Sequence, residues 1–278
     1  MIRALPIAGL LALFAMAPAG LCAQQVGDRH RITLFHEMRS TSDDGGRSSS
    51  RGTHEYLIEV LAVGPDGVER LYEVPGERGD EPSPDWHWPV RVWEDRQGVL
   101  SLLNRADMEA RRDAWLAAAN IPREACGTWY FTWNAFQVQC DPEEILETIE
   151  MLDIQPPDLR EGAMLSHAAA LAPAPLRKDA GAGETFRATF SLDPDIARRE
   201  LARSDVIVAQ LMGKPVTFEE AYAVRQGEPI RGTIEVVLEA NAEGEVERRI
   251  ETIETVRTDA EGVTKSSTAT ETTERIAI

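Results

Sequence analysis

The two cysteines of "CGTWYFTWNAFQVQC", Cys126 and Cys140, have thirteen residues between them. A zinc site needs four ligands and a redox pair needs closer spacing, so neither chemistry fits. In an exported chain the pair is expected to form a structural disulfide, contributing roughly 3 kcal/mol for a loop of this size. Inside the loop Trp129, Phe131 and Trp133 share one face of a strand, and Tyr130, Thr132 and Asn134 share the other. All six tryptophans fall between Trp86 and Trp133. Such clustering marks either a ligand groove or a core between sheet and helices. Trp86, Trp88, Trp93, Trp129 and Trp133 are therefore the candidate ligand-binding residues. "SPDWHWP", bracketed by prolines, is the stretch expected to expose its rings.

Five histidines are scattered as His30, His36, His54, His87 and His167. His36 and His54 are expected to approach one another across a hairpin, but Glu37 and Glu55 face the other way, and a metal would need further ligands. No metal and no cofactor are expected. The chain has no G-x-S-x-G elbow, S-x-x-K, H-E-x-x-H, phosphate loop or dinucleotide fingerprint. Acid pairs such as Glu143 with Glu144 and Glu219 with Glu220 lie in first helical turns, where capping and the helix dipole account for them. A glycosidase-like carboxylate pair is not singled out among so many acids, and no catalytic residue is assigned.

The element pattern that must position these residues is legible in outline. "ITLFHEM" and "THEYLIEVLAV" flank "SDDGGRSS", and "GPDG" leads into "VERLYEV", which are hairpin signals. "WPVRVW" and "GVLSLL" read as two further short strands. A helix is predicted over "NRADMEARRDAWLAAANIP", capped by Asn104 and ended by Asn120 and Pro122. A second, "DPEEILETIEML", has Asp141 as its cap and a stripe of Ile145, Ile149 and Leu152.

In the C-terminal half "ETFRATF" alternates as a half-buried strand. "DPDIARRELARSDVIVAQLMG" is a helix with Ala197, Leu201, Ser204, Val208 and Leu211 on one side. A shorter helix capped by Thr217 with Glu220 follows. The chain ends in a meander turning at "NAEG" and "DAEG".

Residues 1–23 read as a signal peptide, with Arg3, an apolar run from Ile7 to Met16, and a cut after Ala23. Cys22 offers a minor reading as a lipid anchor, which Leu21 before it disfavours. No later segment is apolar over the ~18 residues a membrane helix requires. Lys178, Lys214 and Lys265 are the only lysines, a composition of GC-rich bacterial genomes. The expected location is the periplasm or the medium. A formal charge of −18 excludes nucleic acid and anionic membranes as partners and would attract a cationic one.

Residues 24–154 form an N-terminal α+β half and 184–278 a C-terminal one. The Pro/Ala-rich stretch 155–183 reads as an extended or partly disordered linker. A shift of 217 positions aligns Glu37, Asp44, Gly45 and Ser49 with Glu254, Glu261, Gly262 and Ser266, which two polar hairpins produce by duplication or by coincidence. The expected fold is α+β, with antiparallel hairpins and meanders covered by one or two helices in each half. In outline it resembles open, half-barrel envelope proteins that shelter hydrophobic ligands. The expected function is a non-enzymatic ligand-binding or scaffolding envelope protein, its ligand or partner unnamed. The alternatives are a secreted hydrolase with an unidentified acidic site, or a β-strand-mediated interaction module using the Thr-rich C-terminal strand as a pairing edge.

Overall fold

A computed structural model describes residues 25–76, 82–131, 135–181 and 183–278. Residues 1–24, with Arg3 and Cys22, lie outside the described residues, as does Trp133. The fold is α+β. The N-terminal half supplies β1 (Arg29–Ser42), β2 (Arg47–Gly64), β3 (Gly67–Glu73), β4 (Val90–Asp95) and β5 (Leu100–Leu102). Then come α1 (Arg105–Ala118), the hairpin β6 (Trp129–Phe131) and β7 (Ala135–Gln137), and α2 (Glu144–Leu152). Short pieces β8 (Met164–Leu165), β9 (Ala174–Pro175) and β10 (Arg177–Lys178) precede β11 (Glu184–Ser191). The chain continues through α3 (Pro194–Leu211), α4 (Phe218–Arg225), β12 (Ile230–Ala240), β13 (Val246–Thr258) and β14 (Thr264–Ala277).

One antiparallel ten-stranded sheet runs through both halves in the order β10-β11-β12-β13-β14-β1-β2-β3-β4-β5. Its centre is the seam where β14 pairs with β1, from Ser42 opposite Lys265 to His30 opposite Ala277. The Thr-rich C-terminal strand is therefore interior, paired by β13 on one side and β1 on the other. It presents no edge, which removes the basis for a strand-pairing module. The outermost strands, β10 and β5, are short, as soluble sheets keep their edges.

Directly opposed residues of antiparallel strands point to the same face, and among the described residues the helices in both cores pack on one face of this sheet. At one end Ile32, Tyr56, Ile58, Tyr72, Val90 and Val92 pack against Met108 and Trp115 of α1 and Ile145, Ile149 and Leu152 of α2. At the other, Phe186, Ala188 and Phe190 of β11 and Ile234, Val236 and Leu238 of β12 pack under Ala197 and Leu201 of α3. Fully burying each such side chain contributes about 1.5–3 kcal/mol.

Three local readings change. Asn104 does not cap α1: its Oδ1 accepts from Arg91 N (2.9 Å) and its Nδ2 donates to Pro89 O (3.1 Å), tying β4 to the helix. Asp141 caps one turn early, accepting from Glu143 N (3.0 Å), and α2 begins at Glu144. In α3 the side against α4 is Arg198, Ala202 and Asp205, bound through Glu228 O and Arg225, so Val208 is left 53 % exposed. Apolar periodicity could not see a contact made by ion pairs. By contrast, Thr217 and Glu220 form the expected capping box, and Gly244 and Gly262 take the positive φ their turns require.

Residues 155–181 and 183 do not hang free. Ala163, Ala174 and Leu176 are buried in the second core, and β8 pairs with β9. Gln155 is tied to the β12–β13 turn by accepting from Val246 N (2.8 Å). Small side chains suit this path, because Ala and Pro pack flat against a sheet end with little entropy to lose.

Candidate functional site

Between the two cores, four strands cross the helix-bearing face with little apolar lining. One row across the sheet reads Val236, Glu251, Glu271, His36, Gly52. The row on one side reads Ile234, Ile253, Ala269, Met38, Ser50, and on the other Leu238, Arg249, Thr273, Leu34, His54. Two glutamates and two histidines thus share the middle of this face. Met38 is 45 % exposed beside them. The imidazoles of His36 and His54 stack, centroids 5.9 Å apart, as their hairpin positions predict. Gly52 makes room for this: a Cβ there would run into the His36 ring.

The two glutamates sit in unlike surroundings. His167 accepts from Ala169 N at Nδ1 (3.1 Å) and donates from Nε2 to Glu251 Oε1 (3.0 Å). Arg249 pairs with the other Glu251 oxygen. Burial alone would raise the Glu251 carboxyl, but the His167 hydrogen bond and the Arg249 charge outweigh it and hold it below the ordinary range. Glu271 has no ion-paired or hydrogen-bonded partner among the described residues. Burial first, and the Glu251 charge second, push its carboxyl above the ordinary range. No group of three or more His, Cys, Asp or Glu among the described residues is placed to hold a metal ion.

A hairpin links the two helical layers. Cys126 and Cys140 are disulfide-bonded with Cα atoms 5.6 Å apart, closing the loop that carries the β6–β7 hairpin. β6 touches α3, so the hairpin of the first half reaches the helix of the second. Phe131 at the hairpin tip is 66 % exposed, and Tyr130 stacks on Phe136.

The tryptophans do not converge on one surface. Trp86 is 2 % exposed, so "SPDWHWP" is core rather than a display of rings. Arg111 makes that burial tolerable by donating to Trp86 O (2.9 Å), His87 O (3.2 Å) and Pro89 O (2.8 Å). Trp88 packs half-buried on Tyr56, and the Trp88–Pro89 bond is cis. Trp93 lies on the opposite face, over Gly67, and Trp129 is half-buried on the hairpin. Trp86 Nε1 and His87 Nε2 are buried without a hydrogen-bond partner among the described residues.

Sequence reasoning found the His36–His54 approach and missed Glu251 and Glu271. In "VTKSSTATETTERIAI" both faces of the strand are polar, so no alternation says which residues point inward. Only the register against β1 and β13 does.

No family model and no curated protein matches the chain. Among solved structures, one of lipovitellin, concerned with lipid–protein interactions, aligns at TM-score 0.38 and 9% identity over 91% of this chain and 25% of that one. Ail, the attachment invasion locus protein of Yersinia pestis, aligns at TM-score 0.15 and 6% identity over 91% of this chain and 100% of that one. This chain thus spans a quarter of the lipovitellin chain, and at these scores neither likeness bears on fold or function.

Proposed function

We propose that the chain is an exported bacterial envelope protein that holds a ligand or partner in a half-barrel-like trough on the helix-bearing face of its sheet. The leader supports export, and the disulfide is compatible with an oxidising compartment. One observation carries the binding reading: between two filled cores, the middle of that face is surfaced by Glu271, His36, His54 and a half-exposed Met38. A sheet stabilised only for its own sake would continue its apolar lining there. Native mass spectrometry of protein taken from the envelope of its own host tests this. A retained small molecule or peptide, lost on replacing Ala269 by Trp, is the expected result. A bare mass, in wild-type protein that binds no added amphiphile, overturns it.

A second reading is favoured by the unlike glutamates. A carboxyl held up and another held down, side by side, is the arrangement that acid–base hydrolysis of glycosides requires. Turnover of chromogenic glycosides that vanishes in both Glu251→Gln and Glu271→Gln would support it. No turnover of any of them would remove it.

A further inference from the structure

We propose that the group seated in the trough is a cationic amphiphile, whose protonated amine pairs with Glu271 and whose apolar part lies along Ile253, Ala269 and Met38. The inference rests on the trough being the ligand site, and it names the class of ligand.

Three observations on independent footings lead there. First, Glu271 is a carboxylate left without an ion-paired or hydrogen-bonded partner among the described residues. Its neighbour Glu251 is already satisfied by His167 and Arg249, so the floor keeps one uncompensated negative charge. Glu271 is exposed on this face, so its unpaired charge is open to an incoming cation, and a charge-assisted hydrogen bond there is stronger than a neutral one. Second, the adjoining row is apolar where it crosses β13, β14 and β1, with Ile253, Ala269 and Met38 in line. Neighbouring strands lie ~4.8 Å apart, so the three positions make a strip roughly 10 Å long, enough for a medium alkyl or aryl group. The strip and the carboxylate are two residues apart along each strand, about 7 Å, which suits a head group attached directly to its apolar part. Third, the formal charge of −18 draws cations toward the protein and keeps anionic lipids and nucleic acid away. An anionic amphiphile would meet both the overall field and Glu271.

The test uses the oxidised, exported protein, titrated calorimetrically at pH 8 with dodecylamine, dodecanoate and spermidine below their aggregation limits. Dodecylamine is expected to bind one-to-one and about tenfold or more tightly than dodecanoate, the ratio a single charge-assisted contact gives. Spermidine, a cation without a tail, is expected to bind more weakly than dodecylamine. Glu271→Gln should abolish the preference for the amine, weakening dodecylamine and relieving the repulsion of dodecanoate, and Ala269→Trp should abolish binding of both. Near-ultraviolet circular dichroism establishes that each variant is folded. Equal binding of amine and dodecanoate, equal binding of spermidine and dodecylamine, or undiminished amine binding by Glu271→Gln overturns the ligand class. The trough reading survives those outcomes provided Ala269→Trp still blocks the probes. Amphiphile binding that Ala269→Trp leaves intact overturns both.

Discussion

Burial pushes the His87 imidazole down to about 4, and the Arg111 charge beside it adds to the effect. A folded-state value below the unfolded one means that stability is fully present above about pH 6.5. It is lost as pH falls toward 4, by up to roughly 3 kcal/mol for one such group. Denaturant midpoints measured from pH 7.5 to 4 should fall accordingly, and His87→Phe should flatten the curve. Glu271 works in the opposite direction. Its carboxyl is raised, so the fold prefers the protonated form and loses stability as pH rises through that titration. Glu271→Gln should therefore raise the melting temperature at pH 8 and bring no gain at pH 4. Neither behaviour was legible beforehand. His87 sat in a proline-bracketed stretch that reads as exposed, and three carbonyl bonds from a distant Arg111 reverse that reading.

At the scale of elements, local signals were read well and contacts between elements were not. The Asp-Pro start of α3, the capping box of α4 and the Gly-bearing turns each depend on a few adjacent residues, and all formed where sequence places them. The predicted stripe of α3 does set Ala197 and Leu201 on the sheet, but the contact with α4 runs through Arg225 and Glu228, which apolar periodicity does not show. Arg111 is the most consequential of these cross-element residues. Arg111→Met should cost about 3 kcal/mol in urea unfolding, because buried carbonyls left unpaired each carry a penalty of roughly 1–3 kcal/mol. The disulfide belongs to the same class. Replacing both Cys126 and Cys140 by Ser should cost roughly 3 kcal/mol. Hydrogen exchange should rise more in the β6–β7 hairpin and the facing part of α3 than in the remote β3–β4 region, because the hairpin the disulfide anchors touches α3.

For the whole molecule, the antiparallel meanders and the covering helices followed from alternation and turn chemistry, but the joining of the halves did not. Nothing in "RITLFHEM" or "TATETTERIAI" announces that they pair, since β1 and β14 are polar on one or both faces and complementarity there is backbone hydrogen bonding. The stretch 155–183 misled for a related reason: composition measures how much a segment can bury, and Leu176 with two alanines was enough at a sheet end. Leu176→Ala should cost about 3 kcal/mol. In the wild type, the peptide bonds between Gln155 and Asp179 should resist limited proteolysis until global unfolding.

The β1–β14 seam also fixes when this protein can come into being. His30 and Arg275 meet across 245 residues of chain, and Glu271 reaches His36 only along the same seam. During synthesis β1 must therefore wait, with one hydrogen-bonding edge open, until β14 arrives. Loop closure over such a span makes assembly slow and leaves that edge open to chaperones meanwhile. Until β14 pairs, the chain has neither the seam nor the row that sets Glu271 beside His36.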